Sequence, residues 1–197
     1  MELRRVRVPP LVQNLFINSN QTKTIMKIRF SSNSALALAW ANQNQPEGKG
    51  NSMFFVNENV YSYGMHYVAG TIVEANTGQK VAIINGTPYS VSTAKHVGEV
   101  MSASVKLYTT FKIPFGRSFS VDKLPAILEV MTKEVEQLSE KQLRARTSTH
   151  NFYMALHKVD DIKELSRLFD LPVPNTSSFK YFGEASADAF KKQAPQG

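Results

Sequence analysis

The chain has 197 residues, no cysteine and a formal net charge of +7 at pH 7. This length suits one domain, or one domain with a small helical addition, and the lack of cysteine excludes disulfides and cysteine-based zinc sites. No apolar run reaches the ~20 residues that a membrane-spanning helix needs. Pro9 and Pro10 interrupt the basic N-terminus too early for a signal peptide. We therefore expect a cytoplasmic protein that makes no membrane contact.

The positive charge is concentrated in the N-terminal part of the chain. Residues 1–121 contain 12 Lys and Arg against 5 Asp and Glu, whereas residues 122–170 contain 8 against 9. Such a charge distribution attracts polyanions, and nucleic acid first among them. Since the chain has no dense run of Lys or Arg, a moderately basic protein whose charge only aids solubility is an equally good interpretation.

The N-terminal half begins with patterns typical of strands and one short helix. Polar and apolar residues alternate over residues 24–30, and residues 53–56 form a short apolar run, so both segments predict strands. Ser34 is placed to cap a helix that continues through Ala41. Residues 42–51 are rich in Asn, Gln, Gly and Pro and predict a loop.

Residues 60–73 predict one long extended segment. Gly64 and Gly70 within it suggest bulges or points where another part of the chain approaches closely. Because side chains alternate along a strand, one face of this segment should carry the larger side chains, namely Tyr61, Tyr63, Met65 and Tyr67.

The next residues predict a hairpin and a helix. The apolar run 80–84 predicts a buried strand, and Asn85-Gly86 predicts a tight turn back into residues 89–91, because Asn-Gly adopts positive φ easily. Ser92 is placed to cap a helix over residues 92–102. A further alternating pattern over residues 105–111 predicts another strand.

The composition changes at Asp122, which is placed to cap a long amphipathic helix ending near Arg146. Two shorter helices should follow, at about residues 151–157 and 160–169. We therefore predict an α+β fold, with a mostly antiparallel sheet and one or two short helices, followed by a helical C-terminal subdomain.

The same pattern divides the chain into three parts. We predict a basic α+β domain over residues 1–121, a helical subdomain over residues 122–174, and a polar, partly disordered tail over residues 175–197.

The segment from Tyr61 to His96 carries the candidate site. The predicted helix cap at Ser92, together with Thr93 and the free backbone N–H groups of the first turn, would form an anion site. Lys95 and His96 lie in the same turn, where the helix dipole disfavours cations unless an anion lies between. This conflict favours a bound phosphate group. Alternatively, Glu99 pairs with both cations on the helix surface.

A catalytic interpretation uses the two histidines of this segment. His66 and His96 would act as the acid–base pair of a metal-independent phosphodiesterase, and Lys95 would hold the phosphate. A strand histidine is, however, more often a partly buried imidazole with a structural role. Because the carboxylates are scattered and nucleotide-binding glycine motifs are missing, we expect no cofactor and no metal site.

The tyrosines offer a further contact to nucleic acid. Tyr61 and Tyr63 would stack on the bases of single-stranded RNA or DNA, as aromatic side chains do beside basic residues in single-strand binders. Ordinary sheet residues would give the same pattern.

Two motifs resemble those of a known family: Tyr-Ser-Tyr-Gly-x-His at residues 61–66 and Tyr-Ser-x-Ser-Thr-x-Lys-His at residues 89–96. They resemble motifs in a family of small proteins encoded by bacteriophages and plasmids, and the resemblance covers about residues 50–105. It implies a mobile-element protein in a bacterial cytoplasm and names no activity. A site of this family would fall here on Tyr61, Tyr63, His66, Ser92, Thr93, Lys95 and His96.

These observations favour one function over two alternatives. We expect an accessory protein that binds nucleic acid or a phosphate group at the start of the helix over residues 92–102. The first alternative is a ribonuclease-like enzyme that uses His66 and His96. The second is an inhibitor that binds a host protein.

Overall fold

The computed structural model describes residues 28–145 and 148–174. Its helices are α1 (Asn33–Asn42), α2 (Val91–Ser104), α3 (Leu124–Arg144) and α4 (His150–Leu168), with a 3₁₀ turn at Val121–Lys123. Its strands are β1 (Glu47–Lys49), β2 (Met53–Val56), β3 (Asn59–Ser62), β4 (Val68–Glu74), β5 (Lys80–Asn85) and β6 (Thr109–Ile113).

The six strands form one sheet in the order in which they occur along the chain. Neighbouring strands from β1 to β5 are antiparallel, as expected for strands joined by short turns. Strands β5 and β6 are parallel, because α2 lies between them and returns the chain to the same end of the sheet. The prediction of a mostly antiparallel α+β sheet is confirmed.

Helices cover both faces of this sheet. On one face, α1 and α2 share an apolar cluster with the strands, and Trp40 lies at its centre, fully buried. On the other face, α3 and α4 share a second cluster with Val81, Ile83 and Phe111. The buried residues of α3 recur at helical spacing, so one stripe of the helix faces the sheet. The C-terminal helices thus pack on the sheet as predicted, while the division at residue 121 stays a prediction.

Gly70 lies where side chains of α1 and α2 closely approach the sheet. A Cβ atom there would lie 2.9 Å from Val100, 3.0 Å from Ile84 and 3.3 Å from Trp40. Any larger residue would therefore push the helices from the strands. The prediction of a close approach at Gly70 is confirmed.

The predicted long strand over residues 60–73 is wrong, because residues 63–67 form a tight turn between β3 and β4. Tyr63 has a φ of 60°, and the N–H of Ser62 donates to the carbonyl of Tyr67 across the turn. The expected alternation of tyrosines on one face is therefore wrong too, since the strand ends at Ser62.

The predicted hairpin at Asn85-Gly86 is also wrong. Neither residue adopts positive φ. Instead, the side chain of Asn85 donates to the carbonyls of Val68 (2.8 Å) and Gly116 (2.6 Å) and accepts from the N–H of Thr87 (3.0 Å). These bonds direct the chain into α2 rather than back along β5.

Several predicted boundaries need correction. Helix α1 is capped by Ser32 rather than Ser34, and α2 by Ser90 rather than Ser92. The predicted loop 42–51 contains β1, and the strand expected over residues 105–111 begins only at Thr109.

The C-terminal helices differ from the prediction in two further respects. The two short helices expected after residue 150 are one continuous helix, α4, and the long helix begins at Leu124, after the 3₁₀ turn that contains Asp122.

Two predictions fall largely outside the described residues: the strand over residues 24–30, of which Arg29 forms a single bridge with Lys49, and the tail from residue 175. Within the part of the chain that the structure describes, no helix is long and apolar enough to cross a membrane.

Candidate functional site

The turn over residues 63–67 and the segment 87–91 lie side by side at one end of the sheet. The hydroxyl of Tyr67 donates to the carbonyl of Thr87 (3.0 Å), and the ring of Tyr89 lies 5.3 Å from that of Tyr67 and 6.2 Å from that of His66. We call the side chains of Tyr63, His66, Tyr67 and Tyr89 the aromatic surface.

The aromatic surface combines exposed rings with a cavity. Tyr63 and Tyr89 are 60% and 68% exposed, unusually high fractions for large aromatic side chains. Beside Tyr89 lies a cavity of about 320 Å³. Its lining consists of His66, Tyr67, Thr87, Tyr89, Gly116 and Arg117.

The ring of His96 anchors this surface from within. His96 lies in α2, is almost fully buried, and packs against the ring of Tyr63 at 5.1 Å. Its Nδ1 atom lies 2.7 Å from the hydroxyl of Ser62, and its Nε2 atom lies 3.0 Å from the hydroxyl of Ser52. The Ser52 hydroxyl also accepts from the side-chain amide of Asn33 (3.1 Å).

Hydrogen-bond satisfaction assigns the protons in this network. Burial lowers the pKa of His96, and nearby Lys95 lowers it further although Glu99 acts in the opposite direction, so a neutral imidazole with one donor and one acceptor is favoured. Ser62 is buried and its hydroxyl bonds to His96, so this hydroxyl donates to Nδ1. The Nε2–H group then donates to Ser52.

This assignment makes the network structural rather than nucleophilic. A serine nucleophile would have to donate its proton to the imidazole and also reach a substrate. Ser62 donates in this way but is buried, whereas the less buried Ser52 accepts from Nε2–H. The network instead joins α2 to the ends of β2 and β3. It thereby holds the adjoining turn, in which Tyr63 adopts a positive φ that costs about 1 kcal/mol or more.

The cap residue Ser90 already occupies hydrogen-bonding groups at the start of α2. The hydroxyl of Ser90 accepts from the N–H of Thr93 (3.2 Å) and donates to the Thr93 hydroxyl (2.9 Å), so Thr93 is buried and already paired. Ser92 is exposed. The predicted phosphate site at this helix start therefore retains fewer free donors than the sequence suggests, and it stays a prediction.

Lys95 and His96 do not share a site in the way predicted. Lys95 is exposed and lines a groove of about 510 Å³ between α1 and α2, whereas His96 points inward to the strands. Glu99 lines the same groove and accepts from the hydroxyl of Ser34 (3.0 Å). In the described residues, Glu99 forms no ion pair within 4.0 Å of either cation.

The two histidines proposed as an acid–base pair have different surroundings. His66 is exposed and contacts Tyr89, while both nitrogens of buried His96 bond to serine hydroxyls. The described contacts give them no shared partner. This geometry does not favour the catalytic interpretation, which stays an untested hypothesis.

Tyr61 lies apart from the other predicted site residues. Its ring is buried and stacks on Phe54 with centroids 4.8 Å apart, within the cluster beneath α3 and α4. A base could not reach this ring without opening the core, so the aromatic surface does not include Tyr61.

Sequence reasoning missed several residues that build the site. Tyr89 belongs to the motif at residues 89–96, but the sequence does not show that its ring is exposed. Arg117 and Ser52 lie outside both motifs, and only the folded chain brings them to the cavity and to His96. No local signal marks either residue.

No protein-family model matches this chain, and neither the curated proteins nor the solved structures contain a match to it.

Proposed function

We propose that this protein binds single-stranded nucleic acid through the aromatic surface. The observation that carries the proposal is the exposed ring of Tyr89 beside a cavity that Arg117 lines, with the exposed ring of Tyr63 on the adjoining turn. Among the described residues, no carboxylate lines this cavity. Single-strand binders combine aromatic side chains, on which bases stack, with basic groups that contact the backbone.

The parts of this surface match the parts of a nucleotide. Tyr89 offers an exposed ring face for a base, and the cavity of about 320 Å³ lies within the range of small-ligand sites. Arg117 supplies a planar cation with several donors, which suits a phosphate oxygen pair.

The surface is held in place before a ligand arrives. Tyr67 is tied to Thr87 by its hydroxyl, and the hydrogen bonds of His96 hold the turn that carries Tyr63. A preorganised surface loses less conformational entropy on binding. We also propose, from the resemblance of the two motifs to those of phage and plasmid proteins, that this binding serves an accessory role for a phage or plasmid in the cytoplasm of its bacterial host.

The test is fluorescence anisotropy with labelled single-stranded RNA and DNA of mixed sequence. Tyr89→Ala should weaken binding about 5- to 150-fold, the range that stacking of one base represents. The matched control is Tyr153→Ala, which removes a tyrosine that is 51% exposed on α4. Equal effects from the two substitutions would contradict the proposal.

Salt dependence provides a second test of the same complex. The logarithm of the association constant should fall linearly with the logarithm of salt concentration, and Arg117→Ala should reduce the slope by about 0.7 to 1. Absent or salt-independent binding of both nucleic acids would overturn the proposal and favour a protein partner for the exposed rings.

A further inference from the structure

Two cations face each other at the edge of the sheet. Arg29 and Lys49 form a parallel bridge, in which the N–H of Phe30 donates to the carbonyl of Lys49 (2.9 Å) and the N–H of Lys49 donates to the carbonyl of Ile28 (3.1 Å). Paired residues on neighbouring strands present their side chains on the same face. The bridge therefore places the side chains of Arg29 and Lys49 next to each other on one face of the sheet, where both line the same cleft.

Packing on the opposite face fixes this register. The ring of Phe30 lies 6.3 Å from that of Phe55, and Gly48 leaves room for both rings, since a Cβ atom there would lie within 2.8 Å of them. A shift by one residue would turn Phe30 away from the cluster beneath α1. The core thus holds the two cations together.

The described part of the chain does not neutralise this pair. Like charges directly opposite each other on a sheet are destabilising. Arg29 and Lys49 are both exposed, and neither forms an ion pair within 4.0 Å among the described residues. Glu47, the nearest carboxylate along β1, also remains outside that distance of Lys49.

Between the two cations lies a cleft of about 270 Å³, lined by Arg29, Phe30, Lys49, Gly50 and Asn51. None of the described residues that line it is a carboxylate, and Asn51 adds an amide that can donate hydrogen bonds. From this cleft and the unrelieved charge pair, we infer that it binds a phosphate group. The group belongs either to a nucleic-acid backbone or to a small phosphorylated molecule, since both present the same oxygens.

This site shares no lining residue with the cavity beside Tyr89, and it pairs two cations where that cavity combines Arg117 with aromatic rings. It recognises charge and oxygen geometry, whereas Tyr63 and Tyr89 offer ring faces to bases. The phosphate site does not depend on the proposed function, and each can fail while the other stands.

The test follows amide chemical shifts by NMR as inorganic phosphate is added to the full-length protein at constant ionic strength, with chloride as the balancing anion. We expect saturable shifts centred on residues 28–30 and 49–51. The double variant Arg29→Gln, Lys49→Gln should bind phosphate about tenfold more weakly or worse. Lys112→Gln, which removes an exposed lysine from strand β6, is the matched control and should bind as the parent does.

Thermal unfolding provides a second measurement in case a variant is poorly folded. Phosphate stabilises folded proteins in general, and binding at the cleft should add to this effect, because a ligand that binds the folded state stabilises it. Added phosphate should therefore raise the midpoint of the parent and of Lys112→Gln by more than it raises that of the double variant. Shifts spread evenly over the surface lysines, or equal loss in Lys112→Gln, would overturn the inference.

An abasic oligonucleotide and a nucleoside monophosphate distinguish the two sources of phosphate. Binding is read from the shifts of residues 28–30 and 49–51, which report this cleft. Tighter binding of the abasic strand there assigns the cleft to a nucleic-acid backbone, and tighter binding of the monophosphate there assigns it to a small molecule. Tyr89→Ala should leave the response to inorganic phosphate unchanged. Loss of that response in Tyr89→Ala would contradict a separate site.

Discussion

The two faces of the sheet are stabilised in different ways. Beneath α3 and α4 the strands meet an apolar cluster of regularly spaced Leu, Ile and Met side chains. The buried polar side chain of Gln142 bonds within the helical pair rather than to the strands, to the carbonyl of Ser148 and the N–H of Phe152. Beneath α1 and α2 the cluster is apolar too, but a buried imidazole and two serine hydroxyls at its margin tie α2 to the ends of β2 and β3. The exposed rings that we propose as the nucleic-acid surface adjoin the second face, through the contact of Tyr63 with His96.

This difference implies that the two faces contribute to different properties, one mainly to global stability and the other also to the local conformation of the aromatic surface. An apolar contact stabilises a fold without specifying one local conformation, because it is non-directional. A buried hydrogen bond is directional, and breaking it leaves a polar group unpaired. We therefore expect substitutions beneath α3 and α4 to change global stability, and substitutions around His96 to change the aromatic surface as well.

The largest effect should come from Leu165→Ala beneath α4. Leu165 is fully buried, so its truncation should lower the free energy of unfolding by about 2–5 kcal/mol. Denaturant titration measures this loss. The folded variant should bind nucleic acid with the same affinity as the parent. A parallel loss of affinity would contradict the claim that packing beneath α3 and α4 does not shape the aromatic surface.

A smaller loss of stability, with a larger local effect, is expected from Ser62→Ala. This substitution leaves Nδ1 of His96 buried without its donor, at a cost of about 1–3 kcal/mol. Hydrogen exchange at Tyr67 should accelerate, because the turn loses its support. Ser102→Ala on the exposed side of α2 is the control. Unchanged exchange in Ser62→Ala would show that the network does not shape the surface.

Acid should lower the free energy of unfolding of the parent protein through His96. Burial lowers the pKa of His96 in the folded state. Below about pH 6.5, the ordinary pKa of histidine, the unfolded chain therefore binds a proton at this residue more readily than the folded chain does. The free energy of unfolding should therefore reach its full value above about pH 6.5 and decrease as the pH falls below that value. One proton can lower it by at most about 1.4 kcal/mol per pH unit. Denaturant titrations of the parent and of His96→Gln across pH 5–8 measure this term as their difference. Parallel pH profiles would contradict it.

The smallest effect should come from the ion pair between α3 and α4. Lys158 and Glu134 lie 2.6 Å apart with side chains that are 20% and 38% exposed. Solvent screens such a pair, so Lys158→Ala should lower the free energy of unfolding by about 0.2–1 kcal/mol. A loss above that range, measured by denaturant titration, would mean that charge as well as apolar packing holds these helices together.

The sequence predicted those elements whose pattern is local. The apolar runs that became β2 and β5, the amphipathic α3 and the close approach at Gly70 all follow from spacing or residue size. In each case the burial pattern is contained within one segment. Fold class could therefore be predicted from periodicity alone.

The errors arise where distant contacts override a local preference. Asn85-Gly86 favours a hairpin turn, but the side chain of Asn85 bonds to carbonyls 17 and 31 residues away. Similarly, residues 60–73 look continuously extended, and the turn within them is supported by His96, 34 residues from Ser62. The spacing of apolar and polar residues does not reveal such distant hydrogen-bond partners.

The candidate site was predicted in part for the same reason. Tyr63 and His96, both predicted as site residues, do meet. Lys95 and Tyr61 face other parts of the molecule, because the orientation of a side chain depends on where its helix or strand packs. Arg29 and Lys49 are 20 residues apart and are brought together only by the bridge.

The bonds of Asn85 have a consequence for the order of folding. Strands β1 to β5 join sequential neighbours, so their pairing closes only short loops. We expect the bond from Asn85 to Gly116 to form only after α2 has formed and β6 has docked, since it closes a loop of 31 residues that contains both elements. Thr87 and Gly116, which line the cavity beside Tyr89, are positioned by this step. The meander should therefore be assembled in the folding transition state, with φ-values near zero at Asn85, and the cavity should close only on the native side of the barrier.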